Sequence, residues 1–294
     1  MMKITKAVIP AAGLGTRLFP MTNTQPKEML LIGDKPTIQY IIEEAKASGI
    51  EEVLIITGRY ERVIKEHFDE LYKSRAKLLK SGKEASYLKT EQLSNLPNIS
   101  YVQQPEPLQG LGHAILCAKE FVGHQPFAVL LGDDVVYTDG TPCLKQISDV
   151  YEKCGTNVLG VQKVSHEDVS KYGVIGGERC GERLYRVRTL VEKPAKAAAP
   201  SSIAILGRYI LNPSIFEFLK TTKPGVDGEI QLTDALCKMV TQENMYAYDF
   251  IGRRYDIGTK KGFLEAIVEY ALRQDELDEF KKFLIDTTNK LIKT

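Results

Sequence analysis

The chain has 294 residues and a mass of 32.9 kDa, with 43% hydrophobic and 26% charged residues. These shares are close to those of an average globular protein, which excludes a disordered or fibrous chain. The formal net charge is +1 at pH 7, so nothing global favours nucleic acid or an anionic membrane as a partner, and any anion site must be local.

The first half of the chain alternates between strand-like and helix-like patterns. Apolar residues at helical spacing predict an amphipathic helix that ends at Gly49, and residues 113–122 predict a second helix. The predicted strands cover residues 6–10, 53–57, 99–103 and 127–131. Two of these are continuous apolar runs, which are typical of strands buried on both faces. Repeated strand–helix–strand units predict a parallel sheet with helices on both faces.

Residues 59–89 have a helical pattern and a high charge. They contain a basic run formed by Lys73, Arg75, Lys77, Lys80 and Lys83. A single-strand nucleic-acid site would interleave aromatic rings with such charges. Here Tyr72 and Tyr87 only flank the run. We therefore interpret this segment as a solvated helical excursion and expect no nucleic-acid partner.

The second half predicts a mixture of strands and helices. The predicted strands cover residues 157–164, 184–191 and 203–211, and the predicted helices cover residues 213–221, 232–243 and 260–273. A last helical segment, residues 277–292, places apolar side chains near one face, namely Leu277, Phe280, Phe283, Leu284 and Leu291. Such a face must pack either on its own domain or on a second subunit, most simply across a two-fold axis.

The cysteine pattern and the N-terminal sequence indicate in which cellular compartment the protein works. The five cysteines are odd in number, scattered and without a C-x-x-C, which argues against a disulfide framework and a zinc site and favours a reducing cytoplasm. The apolar stretch from Ala7 to Leu14 is short for a signal sequence and is interrupted by Pro10 and Gly13. No apolar run approaches the ~18 residues of a membrane span, so we expect no membrane partner.

A glycine-rich loop, Ala11-Ala12-Gly13-Leu14-Gly15-Thr16-Arg17, follows the first predicted strand. Its glycines let the backbone turn amide N–H groups onto phosphate oxygens. It is not the dinucleotide fingerprint, because the third glycine would fall on Leu18, and the chain has no Walker A motif. The guanidinium of Arg17 beside these amides suits a polyphosphate.

Two charged residues outside this loop are also candidates for a binding or catalytic role. Lys27 leads directly into the core-forming residues Met29 to Ile32, so it is not a simple surface charge. Asp133 ends a buried strand, where open α/β sheets bind their ligands, and its carboxylate suits Mg²⁺. The alternative for Asp133 and Asp134 is a turn or a helix cap.

Taken together, the motifs resemble those of the sugar-phosphate nucleotidyltransferases. They appear in order over residues 6–270 as GLGTR, PKEML, GLGHA, LGDD, YG, VEKP, LGRY, GEIQLTDA and YDIG. GLGHA and GEIQLTDA are typical of the uridylyltransferase branch. The resemblance implies a Rossmann-like three-layer α/β/α fold with a mixed, mostly parallel central sheet. It also implies an enzyme that joins UTP and glucose 1-phosphate into UDP-glucose and pyrophosphate with Mg²⁺, by direct in-line attack of the sugar phosphate.

The same resemblance implies roles for individual residues. Arg17 and Lys27 would hold the triphosphate and the leaving group, Lys193 the attacking phosphate, and Asp133 and Asp256 the Mg²⁺. The expected nucleotide-binding residues are Ala11, Ala12, Gly13, Gly15, Thr16, Gln104 and Gly110, and the expected sugar-binding residues are Gly173, Glu192, Lys193 and Gly207. The sequence departs from the family at the glutamine that reads the uracil edge, because Gln103 and Gln104 are both present and the following loop is one residue longer; we favour Gln104.

These features predict a nucleotidyltransferase domain over residues 1–274, with a nucleotide-binding half of about 1–135 and a sugar-binding half of about 136–274. Residues 275–294 would form a C-terminal helix and a candidate oligomerisation segment, so we expect a homodimer or a higher homo-oligomer. Three alternatives stay open. These are a pyrophosphorylase for another nucleotide or sugar, a catalytically weak regulatory protein on the same fold, and a metal-dependent glycosyltransferase, although Asp133-Asp134 lacks the D-x-D spacing of the last.

Overall fold

The fold is described from a computed structural model, which covers residues 3–80, 96–107, 109–274 and 277–292. Within these ranges, side chains are described except at positions 71–80 and 226. Two parts of the predicted features lie outside the described residues. They are residues 81–89 of the charged excursion, which include Lys83, and Leu108 in the long loop.

A nine-stranded sheet forms the centre of the described part of the chain, in the spatial order β5-β4-β1-β6-β11-β8-β12-β10-β9. Its strands are β1 (Lys6–Ala11), β4 (Glu52–Thr57), β5 (Asn98–Gln103), β6 (Phe127–Leu130), β8 (Asn157–Lys163), β9 (Gly173–Arg179), β10 (Leu184–Glu192), β11 (Ile203–Leu211) and β12 (Met245–Asp249). Two short two-stranded ribbons accompany it, β2 (Leu31–Ile32) with β3 (Lys35–Pro36), and β7 (Asp134–Tyr137) with β13 (Arg253–Asp256).

The sheet is mixed, and seven of the nine strands point the same way. β5, β4, β1 and β6 are all parallel, as the repeated strand–helix units predict. β11 and β10 run in the opposite direction to their neighbours. β9 and β12 were not predicted from the sequence, because glycines dilute the first and the second is only five residues long. The expected mixed, mostly parallel sheet is therefore confirmed.

Helices cover both faces of the sheet. They are α1 (Thr37–Ala47), α2 (Glu61–Lys80), α3 (Gly110–Leu116), α4 (Lys119–Val122), α5 (Cys143–Cys154), α6 (Ile215–Thr221), α7 (Leu232–Met239), α8 (Lys260–Leu272) and α9 (Asp278–Ile292). On one face, α1, α5 and α8 bury their apolar sides in one core; on the other, α3, α6 and α7 form a second core. The predicted helix over residues 113–122 begins earlier, at Gly110, and is broken into α3 and α4. The three-layer α/β/α architecture is confirmed.

Parallel strands bring their carboxyl ends to one edge of the sheet. β1 ends at Ala11, β5 at Gln103 and β6 at Leu130, so the glycine-rich loop, Gln104 and Asp133 all follow strands of the parallel group at that edge. The β7–β13 ribbon lies next to this edge and pairs Asp134 with Asp256 across its two strands. The fold thus gathers residues from both halves of the chain at one place.

The last helix, α9, packs against α8. None of its described side chains is buried, and two members of the predicted apolar face, Phe283 and Leu291, are 60% and 71% exposed. Phe283 and Leu291 are therefore open to solvent in a single chain, whereas Leu277, Phe280 and Leu284 are half-buried. Among the described residues, none of the helices combines the length and the apolar character of a membrane span.

Candidate active site

A cavity of about 490 Å³ opens at the carboxyl edge of the parallel strands. The glycine-rich loop lines one side from Ala12 to Arg17, and Lys27, Gln104, Gly110 and Asp133 line the rest. Ala11, which we expected to bind nucleotide, ends β1 as a buried residue and is not part of the lining. All the other expected nucleotide-binding residues meet in this one cavity.

The glycine-rich loop is held open by a left-handed turn at Gly15, whose φ is 65°. The Gly15 carbonyl accepts hydrogen bonds from the Thr22 hydroxyl at 2.8 Å and from the Leu18 amide at 3.0 Å. A Cβ at this position would lie only 3.1 Å from the Thr22 side chain, so both conformation and space favour glycine. The turn leads into a short 3₁₀ helix, Thr16–Leu18, that carries Arg17.

Lys27 and Asp133 form a close ion pair at the floor of the cavity, with Nζ 2.7 Å from Oδ2. Burial by itself would lower the pKa of Lys27, but the charges of Asp133 and Glu28 outweigh it and hold that pKa above its ordinary value. Burial likewise opposes ionisation of Asp133, yet Lys27 and then Arg17 keep its pKa below the ordinary value. Both groups are therefore charged at neutral pH.

Glu28 is a buried carboxyl group that sequence reasoning missed. Its side chain is 1% exposed, and its Oε2 has no hydrogen-bond partner among the described residues. Burial raises the pKa of Glu28 to about 7, with Lys27 opposing the shift and Asp133 adding to it. The KEM sequence gave no signal of this burial, because a Lys-Glu pair is usually a solvated turn.

Arg17, Asp133 and Asp256 converge around Gly258 in the predicted YDIG motif. A Cβ at Gly258 would lie 2.7 Å from Asp133 Oδ2, 2.8 Å from Arg17 Nη2 and 3.1 Å from Asp256 Oδ1. The Ile257 amide also donates to the Asp133 carbonyl at 2.8 Å. The structure thus brings together the two aspartates for which the sequence analysis predicted a shared role.

A second missed residue, Arg254, neutralises the third carboxylate of this edge. Its Nε donates to Asp134 Oδ1 at 2.6 Å, its Nη1 to the Tyr172 hydroxyl at 3.1 Å, and its Nη2 lies 4.0 Å from Asp256 Oδ2. Burial raises the pKa of Asp134 to about 6 in spite of Arg254, and Asp133 and Asp256 add to the rise. The two-residue spacing of Arg254 and Asp256 places both on one face of β13, a signal that the sequence did contain.

A smaller cavity of about 150 Å³ adjoins the first and shares Arg17 and Asp133 with it. Gly173 and Glu192, which pair across β9 and β10, line its far side. A Cβ at Gly173 would lie 3.1 Å from Glu192 Oε2, and burial raises the pKa of Glu192. Gly207 is not in the lining but lies beneath Asp134, where a Cβ would overlap the Asp134 carboxylate at 2.3 Å.

Lys193 is set apart from the other charged residues of the site. It has a left-handed backbone with a φ of 44°, and its Nζ pairs with Asp227 Oδ2 at 2.9 Å. It does not line either cavity. Its expected contact with the attacking phosphate would therefore require it to leave Asp227.

The two candidate glutamines have different surroundings. Gln103 is the last residue of β5 and is exposed, whereas Gln104 is 4% exposed and lines the large cavity. The Gln104 backbone amide donates to the Thr57 carbonyl at 2.8 Å, which continues the parallel pairing past the strand end. Of the two, only Gln104 is in a position to meet a ligand in that cavity.

The donor set fits a hard cation that is completed by its substrate. Among the described residues, no three or more His, Cys, Asp or Glu side chains are grouped as metal ligands. Asp133 Oδ2 and Asp256 Oδ1 lie 2.7 Å and 3.1 Å from the position that a Cβ on Gly258 would occupy, so both offer carboxylate oxygens to one point. Mg²⁺ is usually bound by one or two carboxylates together with waters and substrate phosphates, which this arrangement suits.

The chain is similar over nearly its whole length to known nucleotide-sugar enzymes. The sequence profile of the nucleotidyl transferase family matches residues 6–273. The UTP–glucose-1-phosphate uridylyltransferase of Staphylococcus epidermidis is 51% identical over 285 residues, which cover 97% of this chain and 98% of the relative. The protein of the same name in Bacillus subtilis is 49% identical over 291 residues, or 99% of either chain.

The chain is also similar in structure to solved structures of UDP-glucose pyrophosphorylases. A UDP-glucose pyrophosphorylase complexed with UDP-glucose is 43% identical, with a TM-score of 0.85 over 92% of this chain and 100% of that one. A UTP-bound UGPase from Acinetobacter baumannii is 35% identical, with a TM-score of 0.85 over 96% of this chain and 99% of that one.

Proposed function

The chain belongs to the nucleotidyl transferase family, and we propose that it transfers a uridylyl group from UTP to glucose 1-phosphate, giving UDP-glucose and pyrophosphate. The observation that carries this proposal is the pair of adjoining cavities that share Arg17 and Asp133. A group-transfer enzyme needs a donor site and an acceptor site that meet where the transferred group changes hands. The shared residues support placing the transfer between the two cavities.

In this reaction an oxygen of the sugar phosphate attacks the α-phosphorus of UTP in line, and pyrophosphate leaves. The attacking phosphate is already ionised at neutral pH, so no side chain has to remove a proton. Catalysis then depends on positioning and on stabilising the negative charge that develops. We assign these tasks to Arg17 and Lys27 on the triphosphate and leaving group, with the amides of the glycine-rich loop beside them.

Lys27 must change partners for this role. Without substrate, its ammonium group is neutralised by Asp133 at 2.7 Å. A triphosphate in the large cavity would offer Lys27 a stronger anionic partner and release Asp133. Asp133 and Asp256 would then hold Mg²⁺, which, when bound, neutralises charge on the phosphates of the substrate.

The acceptor would occupy the smaller cavity. Glu192 and the backbone at Gly173 lie where they can accept from and donate to sugar hydroxyls, and Lys193 would exchange Asp227 for the sugar phosphate. Gly207 acts indirectly in this proposal, because it leaves room for the Asp134 carboxylate. Asp134 in turn anchors Arg254 at the wall of the cavity.

A pyrophosphate-release assay with a panel of nucleoside triphosphates and sugar 1-phosphates tests the function. We expect the highest rate with UTP, glucose 1-phosphate and Mg²⁺, and loss of that rate with EDTA. A preference for another nucleotide or sugar would make the protein a related pyrophosphorylase instead. Absence of pyrophosphate release with every pair would favour a regulatory protein, an alternative already weakened by the presence of Arg17, Lys27, Asp133 and Asp256.

We further propose that the enzyme is a homodimer or a higher homo-oligomer assembled through α9, and that it works in the reducing cytoplasm. The exposed Phe283 and Leu291 on α9 support assembly, and five free cysteines suit a reducing compartment. Light scattering on the full chain and on a chain that ends at Gln274 tests the assembly. A monomeric full-length chain at micromolar concentration would contradict it.

A further inference from the structure

A glutamine side chain cannot by itself tell uracil from cytosine. Uracil presents a donor at N3 between carbonyl acceptors, whereas cytosine presents an acceptor at N3 beside an amino donor. An amide group carries both a donor and an acceptor, and a half-turn about its last bond exchanges them. A free Gln104 could therefore match either base, and discrimination requires that the orientation of its amide be fixed.

The structure holds the amide of Gln104 from two sides. Its Nε2 lies 3.3 Å from the carbonyl oxygen of Gly110 and 3.0 Å from Nδ1 of His113. The carbonyl oxygen can only accept, so the NH₂ group must face it, and the orientation of the amide follows. The second amide hydrogen then points to His113 Nδ1, which must be the unprotonated nitrogen of the ring.

We propose that His113 is a specificity-determining residue that acts through Gln104, by locking its amide so that only Oε1 faces the base. This inference rests on the proposed uridylyl transfer, in which Gln104 reads the pyrimidine. With both amide hydrogens committed to the protein, Gln104 meets the base as an acceptor. It pairs with the N3–H of uracil and opposes the lone pair on N3 of cytosine.

A held Gln104 amide should treat UTP, dTTP and CTP differently. Thymine carries the same N3–H as uracil, so the lock does not act on the difference between dTTP and UTP. Cytosine is the base that the lock rejects. Without His113, the Gly110 carbonyl at 3.3 Å is the longer of the two described contacts and still favours the same orientation of the amide, but turning the amide over then costs less free energy. This should favour CTP without changing the ratio of dTTP to UTP.

Calorimetric dissociation constants for UTP, dTTP and CTP on the full-length protein test this, using His113→Leu, His113→Asn and Gln104→Ala. Asparagine can present an acceptor oxygen close to where Nδ1 lies, whereas leucine cannot. We expect His113→Leu to narrow the CTP-to-UTP ratio of dissociation constants by about three- to ten-fold, the range of one neutral hydrogen bond. His113→Asn should restore the ratio, and the dTTP-to-UTP ratio should stay constant throughout.

The outcomes distinguish this inference from the function on which it rests. If Gln104→Ala narrows the CTP-to-UTP ratio but His113→Leu does not, Gln104 reads the base without the lock and the inference is wrong. If both His113 variants narrow it equally, or the dTTP-to-UTP ratio moves as well, His113 acts only through packing and the inference is also wrong. If Gln104→Ala leaves all ratios unchanged, the assignment of Gln104 itself fails. Thermal melting of each variant shows that the comparison is between folded proteins.

Discussion

Substituting Gly258 by alanine should impair turnover without removing any functional group. The new methyl group would lie 2.7 Å from Asp133 Oδ2 and 2.8 Å from Arg17 Nη2, which is 0.7 Å and 0.6 Å closer than the 3.4 Å at which ordinary contact begins. Both side chains, and Asp256 at 3.1 Å, must therefore move outward. Since a misplacement of about 1 Å can cost ~10²-fold in rate, we expect kcat to fall by ~10- to 10²-fold.

The cost to folding should be smaller than the cost to catalysis. The atoms that must move are the ends of flexible side chains, so the overpacking should remove about 1–3 kcal/mol, which leaves a typical domain folded. Gly140→Ala is a matched control, because a Cβ there would meet nothing within 4 Å. Pyrophosphate release gives kcat, and urea unfolding gives stability. A Gly258→Ala enzyme with a wild-type kcat would refute the idea that the placement of Arg17, Asp133 and Asp256 limits the reaction.

Three further predictions concern buried charges. Lys27→Ala should lower kcat by ~10²–10³-fold, the usual loss for one preorganised charge contact, while circular dichroism stays unchanged. Folding raises the pKa of Glu28 from 4.5 to about 7, so the folded chain binds more protons than the unfolded one in that range and loses stability as the pH rises through it. The free energy of unfolding of Glu28→Gln, measured relative to wild type with urea, should therefore be about 2 kcal/mol higher at pH 8 than at pH 5. Arg208 is fully buried and its Nη2 lies 2.6 Å from Glu44 Oε2. Arg208→Met should therefore lower the free energy of unfolding by about 3–5 kcal/mol, measured with urea, because it leaves Glu44 without its partner.

Local rules predicted much of the fold and the edge of the sheet at which the candidate site lies. The apolar spacing of Ile38, Ile41, Ile42 and Ala45 identified α1, and all four side chains are fully buried. The rule that ligands bind beyond the carboxyl ends of parallel strands located the glycine-rich loop and Asp133 correctly at one edge. These predictions succeeded because each depends only on a short stretch of chain.

The other features of the site depend on contacts between segments that are distant in sequence, and the spacing of residues in a short stretch does not predict such contacts. Arg254 reaches Asp134 only because β13 pairs with β7, and no local pattern links the two strands. The sequence favours Gln104 over Gln103 without an argument from packing, because the environment of each side chain depends on where β5 ends. The burial of Glu28 depends on Gly132, whose missing side chain makes room for it. Such features require the packed structure.

The ribbon formed by β7 and β13 also fixes when the enzyme can begin to work. A ribosome makes Asp133 and Asp134 some 120 residues before it makes Asp256, since the chain grows from its N-terminus. The glycine-rich loop and Lys27 are available early, but the second carboxylate, and the backbone at Gly258 against which Arg17 packs, are among the last parts of the domain to emerge. A nascent chain therefore cannot bring Arg17, Asp133 and Asp256 together until synthesis of the domain is almost complete.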